Sequence, residues 1–130
     1  MRFVGKVVDV KATKKFMLDA QKGDDEGDKL IFHIRESLTN SELKYIKSML
    51  ISDQVEASDV AFEMVVSDVE NFFFEDGEPV KIEREKHKYA GLYRKLTEEC
   101  ATAIPDVAKL EIATHIYDNY FELTETDTKN

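Results

Sequence analysis

The apolar positions of this chain change period along its length. Phe3, Val4, Val7, Val8 and Val10 are β-branched or aromatic and surround Gly5, a pattern that predicts a strand rather than a helix. A second strand is predicted at Lys29–Arg35, where Leu30, Phe32 and Ile34 alternate with Ile31, His33 and Arg35. Between them, Gln21–Asp28 holds two glycines and an acid run and reads as a loop. The first 35 residues are therefore expected to form a β-hairpin with a long, mobile tip. The pattern leaves open whether Lys14–Ala20 prolongs the first strand.

Helical spacing follows. Thr39 and Glu42 have the spacing of a capping box, in which each side chain satisfies a backbone N–H at the helix start. Leu38 and Leu43 stand where a hydrophobic staple would form, and Ile46, Met49 and Leu50 continue the stripe to an end near Ser52–Gln54. From Asp59, the positions Phe62, Val65, Val66, Val69 and Phe73 fall on one helical face. Met64-Val65-Val66 also fits a strand, but the 3.6 period matches the whole segment better. Glu75-Asp76-Gly77-Glu78-Pro79 closes this element with an Asp-Gly turn and a proline that cannot continue a helix. Tyr89, Leu92, Tyr93, Leu96, Cys100 and Ile104 predict a third helix, broken at Pro105. Val107, Leu110, Ala113, Tyr117 and Tyr120 predict a fourth, with Pro105 in its first turn. The expected fold is mainly α within the α+β class: four or so helices in one domain over residues 1–121, a small N-terminal β-hairpin, and a polar, mobile tail at 122–130.

Composition narrows the class. The 130 residues carry 27 Asp+Glu against 18 Lys+Arg, a formal net charge of −9, with 42% hydrophobic and 35% charged residues. That is a globular profile, long enough for one core. The acidic balance opposes general binding to nucleic acid or to an anionic membrane surface. Residues 1–20 depart from it, with five cations against two anions (+3), which leaves −12 on the rest. Cys100 is the only cysteine, so no intrachain disulfide or thiolate cluster can form and a reducing compartment is expected. Lys6, Asp9 and Lys11 interrupt any apolar leader, and no apolar run reaches the length of a membrane span.

Candidate chemistry is sparse. His33, His87 and His115 lie more than twenty residues apart without partners at ligand spacing, so no metal and no cofactor is expected. Asp24-Asp25-Glu26-Gly27-Asp28 lacks the alternating oxygens and terminal Glu of a calcium loop and reads as a solvated tip. Cys100 sits on an apolar stripe, where a thiol behaves as a small inert hydrophobe. The five glycines never form a phosphate-cradling motif, and no nucleophile elbow is present. No catalytic residue is therefore expected. Lys81–Lys88 mixes cations with Glu83 and Glu85 and reads as a solvated helix face, with Glu83–His87 and Glu85–Lys88 pairing along it.

Phe72-Phe73-Phe74 resists a bland reading. On a helix the three rings point about 100° apart, and on a strand Phe73 faces away from its neighbours, so at least one ring leaves the principal core face. Apolar surface left this way marks protein contacts. The competing reading, all three rings sealed beneath the adjoining turn and hairpin, carries equal weight. Phe72, Phe73 and Phe74 are the candidate protein-interaction residues.

The order of an N-terminal β segment, a helix opened by Leu38-Thr39-x-x-Glu42, and Val69–Phe74 running into Glu75-Asp76-Gly77-Glu78-Pro79-Val80 before a two-helix C-terminal half resembles the tail assembly chaperones of long-tailed (siphovirus) bacteriophages. The similarity is strongest over residues 65–80. It implies a mostly helical, non-enzymatic protein that binds the tape measure protein, works in the host cytoplasm and is absent from the finished virion. Self-association, and a weaker expectation of contact with the major tail protein, come with the same resemblance. It also implies a longer, frameshifted form, with which the terminal Lys129-Asn130 is codon-compatible. Two other classes remain as rivals: an acidic inhibitor or DNA mimic that fills a basic nucleic-acid-binding cleft, and a small hydrolase with a non-local site. A mimic needs carboxylates in ordered rows, and here acids and bases alternate.

Overall fold

A computed structural model describes residues 11–19 and 29–121. The strand expected at Phe3–Val10, the loop at 21–28 and the tail at 122–130 lie outside the described residues.

The alternating segment forms β2 (Ile31–Arg35), paired antiparallel with β1 (Thr13–Met17) in the register Thr13↔Arg35 to Met17↔Ile31. The strand in this pairing is therefore Thr13–Met17, which begins one residue before the Lys14–Ala20 stretch whose role the pattern left open. Thr39 then caps α1 (Asn40–Ser52) through a complete capping box: Thr39 Oγ1 accepts from Glu42 N at 3.2 Å, and Thr39 N donates to Glu42 Oε1 at 2.9 Å. Asp53 serves two helices at once. Its N–H donates to Met49 O at the end of α1, and its carboxylate accepts from Glu56 N at 3.1 Å to open α2 (Gln54–Val65).

The long helix expected through Phe73 stops at Val65, and the chain continues as β3 (Val66–Glu70) on the free edge of β2. The helical spacing of Val66 and Val69 misleads for a specific reason. The register steps from Ile34↔Val66 to His33↔Asp68, so Ser67 is an extra residue, and its hydroxyl donates to His33 O at 3.0 Å. One inserted residue shifts the side-chain alternation, and Val66 and Val69 are both buried although three positions apart.

The helix expected over Tyr89–Ile104 is instead a hairpin followed by a short helix: β4 (Arg84–Tyr89), β5 (Tyr93–Leu96) and α3 (Glu98–Ala103). Residues 90–92 join the strands, with Ala90 and Gly91 at φ +53° and +69° and Leu92 N donating to Tyr89 O. Within the expected helix face at Lys81–Lys88, residues 84–88 belong to β4, exposed beyond half-buried Arg84, and the helical pairs Glu83–His87 and Glu85–Lys88 do not form. The hairpin base is tied down by Arg84, which donates to Val66 O and to Arg94 O, and by Glu63, whose carboxylate accepts from Leu96 N at 3.0 Å. Burial pushes the Glu63 carboxyl above its ordinary range.

Pro105 stands at the cap of α4 (Asp106–Asn119). The stripe that α4 buries is Ala108, Ile112, Ala113 and Ile116, rotated from the expected one, and Val107 and Leu110 face outward. The α2 helix supplies wholly buried Ala57 and Ala61, and small residues on both helices permit the close α2–α4 packing. One buried cluster draws on both ends of the described chain, with Phe32 edge-on to Phe62 at 5.8 Å between centroids. The mainly α expectation is thereby corrected. Among the described residues there are four helices and five strands, in a three-stranded sheet (β1-β2-β3) and a two-stranded one (β4-β5), an α+β mixture. The N-terminal hairpin is two-thirds of a sheet, not an appendage. No helix among them is long and apolar enough to cross a membrane.

The sheet and the helices meet at one ion pair. Arg35 at the end of β2 grips Glu42 with two nitrogens, at 2.7 and 2.9 Å, and Nη1 lies 3.5 Å from Met64 O at the end of α2. Tyr120, just past α4, donates its hydroxyl to Arg35 O. Burial, with the Glu36 charge nearby, holds that phenol at about 12, so it stays a donor. Burial alone would raise the Glu42 carboxyl, but the Arg35 and Thr39 hydrogen bonds and the Arg35 charge outweigh it and hold the group below its ordinary value. Glu42→Gln, which leaves a buried guanidinium without its counter-charge, is expected to cost about 3 kcal/mol in a urea melt at pH 7. With a depressed folded-state pKa, the carboxylate's contribution is complete above about pH 4.3 and is lost as pH falls through the lower folded value. The wild-type-to-variant gap should therefore close in acid. In the β4–β5 turn, Ala90→Asn replaces a residue strained at positive φ by one that tolerates it, and should add about 0.5–1 kcal/mol in the same assay.

Candidate protein-interaction cleft

The cleft begins with turn chemistry. Asn71, at φ +60°, turns the chain out of β3 and donates its side-chain amide to Lys29 O at 2.8 Å. Residues 72–80 then fold back on themselves: Val80 N donates to Phe72 O, Phe74 N to Glu78 O, and Phe73 bridges Pro79. Glu75-Asp76-Gly77 forms a three-residue loop, closed by Gly77 N donating to Phe74 O and by Glu78 N donating to Asp76 Oδ1 at 2.9 Å. Gly77 takes φ +91°, the left-handed position that such loops require. The Asp-Gly turn stands where the sequence places it.

In this extended segment neighbouring side chains alternate. Phe72 packs against the core and Phe74 is half-buried, whereas Phe73 is 58% exposed. All three rings line an open cleft of about 660 Å³ between this small hairpin and α3. Val80 and Ala103 complete its apolar lining, and Glu75, Asp76, Glu99 and Thr102 its polar part. Thr102 turns its hydroxyl back onto the carbonyls of Glu98 and Glu99, so the polar groups offered to a ligand are chiefly three carboxylates. No Lys, Arg or His is among the lining residues. Such an arrangement can bind an apolar group flanked by positive charge; it offers no nucleophile with a base beside it.

The other candidate residues lie apart. Cys100 is buried, with its thiol 3.4 Å from Lys81 O. His33 pairs with Glu70 at 2.6 Å across the β2–β3 sheet, and His87 is exposed on β4. His115 lies between Phe16 and Tyr120, where burial and the Lys14 charge push its pKa down and keep the ring neutral at pH 7. Among the described residues no group of three or more His, Cys, Asp or Glu is placed to hold a metal ion.

Sequence reasoning missed the α3 side of the cleft. Thr97 caps α3, accepting from Cys100 N at 3.4 Å, and this Thr-Glu-Glu start was the available signal. It locates a helix but cannot say which turn the helix will face. A second missed feature is the charge of the β4–β5 hairpin. Residues 81–96 carry six cations (Lys81, Arg84, Lys86, Lys88, Arg94, Lys95) against Glu83 and Glu85, a net +4 within a chain of −9.

An added Cβ at Gly77 meets nothing within 4 Å, so Gly77→Ala tests backbone conformation alone. It should cost about 1 kcal/mol in a thermal melt and loosen the turn that presents Phe73. Compared with known proteins, the chain matches no family model, no curated protein and no solved structure.

Proposed function

We propose that this protein is a non-enzymatic tail assembly chaperone that binds the tape measure protein and keeps it soluble before the tail tube encloses it. The observation that carries the reading is the Phe73 ring, 58% exposed in an aromatic cleft with three carboxylates around it. A long helical client exposes an apolar stripe to water and aggregates unless covered. Covering it requires apolar side chains that the chaperone's own core does not consume, on a body whose charge keeps the complex dissolved. Phe73, with half-buried Phe74 beside it in the cleft, meets the first need and the −9 net charge the second, while Phe72 anchors the segment to the core. The resemblance implied a mostly helical protein, and the α+β fold withdraws that part of its support; the surface chemistry and the 65–80 segment remain. The acidic-mimic rival is weakened by the net +4 of residues 81–96, which interrupts any continuous row of carboxylates.

Co-expression with the tape measure protein encoded in the same genome tests the reading. The wild-type chain is expected to bring that protein into the soluble fraction and co-purify with it. Phe73→Asp should keep the wild-type circular dichroism spectrum, because the ring is largely solvated, and lose the co-purification. An insoluble tape measure protein in the presence of folded wild-type chain would refute the function. A folded Phe73→Asp that still co-purifies would move the client site away from the cleft.

A further inference from the structure

The hydrogen bonds of residues 72–80 leave one strand edge open. Phe73 and Pro79 face each other as an antiparallel bridge, and the bonds on either side, Val80 N to Phe72 O and Phe74 N to Glu78 O, belong to their neighbours. In a pair of that kind the central residue turns its own N–H and C=O away from the partner strand. Among the described residues neither backbone group of Phe73 has a hydrogen-bond partner. The cleft runs along this same edge: Phe72, Phe73, Phe74, Glu75 and Asp76 all line it, whereas of the return strand 78–80 only Val80 does. An unpaired strand edge is a template for another extended chain. Its surroundings select which chain. The exposed Phe73 ring stands on one face of the edge, and Phe72, Phe74 and Val80 stand on the other. The Asp76 carboxylate is committed to the turn, but Glu75 and Glu99 border the cleft with no cation within ion-pair distance among the described residues.

We propose that the cleft takes an extended segment of its partner, apolar at its centre and flanked by Lys or Arg, which adds as a strand to the Phe73 edge. The segment donates to Phe73 O and accepts from Phe73 N. Its alternate side chains pack on the Phe73 ring and over Phe72 and Phe74, and its cations stand against Glu75 and Glu99. Main-chain bonds give binding that tolerates varied sequence, while the carboxylates exclude acidic segments. A helix cannot bind this way, because its backbone groups are already paired within it. Assigning the segment to the tape measure protein rests on the chaperone reading, and there it is a stretch of client not yet helical. The open edge and its charge stand without a client.

Nuclear magnetic resonance of the full chain tests it, with a synthetic peptide that carries Val-Leu-Val between paired lysines. On titration the Phe73 amide should shift, and its hydrogen exchange should slow about tenfold or more as the N–H gains an acceptor. Successive N–H groups of a strand point to opposite edges, so of two peptides N-methylated at alternate residues one should bind about tenfold more weakly and the other nearly unchanged. Glu75→Lys/Glu99→Lys should weaken the unmodified peptide about tenfold, and a peptide with glutamates for its lysines should not bind. Phe73→Pro deletes an N–H that has no acceptor in the free chain; it should keep the wild-type circular dichroism spectrum and lose the peptide, whereas Phe73→Leu should retain it. The methylated peptides probe the same edge in the unaltered chain, so the test does not depend on how Phe73→Pro folds. No binding, equal effects of the two methylated peptides, or tighter binding of a version cross-linked to stay helical would overturn the proposal. If the tape measure protein co-purifies but the peptide does not bind, the proposal fails and the function survives. If the peptide binds at the Phe73 edge but the tape measure protein stays insoluble, the function fails and the strand-addition site remains.

Discussion

A guanidinium and a carboxylate withdrawn from water together lose several kcal/mol of hydration each, and they repay it only when every remaining polar group finds a partner. Arg35 and Glu42 come close to that condition by recruiting the ends of four elements. The carboxylate accepts two guanidinium nitrogens and the capping-box N–H of Thr39, Met64 O lies 3.5 Å from Nη1, and Tyr120 fixes the Arg35 backbone. Arg35 Nε is buried without a partner, a residual cost that the rest of the cluster carries. The position of α1 against the sheet, and of the α4 end against β2, follows from this one pair.

The bulge at Ser67 acts next along the chain. With one residue inserted, both Val66 and Val69 reach the core while β3 stays hydrogen-bonded to β2. Asn71 then turns the chain at once, so the three phenylalanines emerge extended, beyond the sheet edge. A helix continued through Phe73 would have swept the rings around an axis 100° at a time. The extended segment instead puts Phe73 outward and its two neighbours toward the protein, which is how one aromatic run both anchors the small hairpin and furnishes a contact surface.

Charge is segregated more sharply than the net value suggests. Residues 81–96 hold +4, which leaves −13 on the remainder, and both signs are displayed beside exposed apolar groups. Within a Debye length of about 8–10 Å such patches select partners by sign, while the apolar centre supplies most of the affinity. A small acidic protein can in this way hold a strongly apolar surface without losing solubility.

Local signals in the chain determined local structure well. The capping box at Thr39–Glu42, the strand at Ile31–Arg35, the Asp76-Gly77 turn and the break at Pro105 all depend on residues within a few positions of one another, and each was legible. The exit of a ring from the core at Phe72–Phe74 was legible too, because no regular element can point three consecutive side chains one way. What the tertiary structure decided was which elements compete for an edge. Val65-Val66 became a helix end and a strand start because β2 had unpaired backbone groups to satisfy. Tyr89–Leu96 became a hairpin because Glu63 and Arg84 anchor its base from distant parts of the chain. The α3 wall of the cleft lies more than twenty residues from the phenylalanines it faces. An i, i+3, i+4 pattern records only that residues are apolar at those intervals. A bulge or a tight turn can satisfy the same intervals, and long-range hydrogen bonds choose between them.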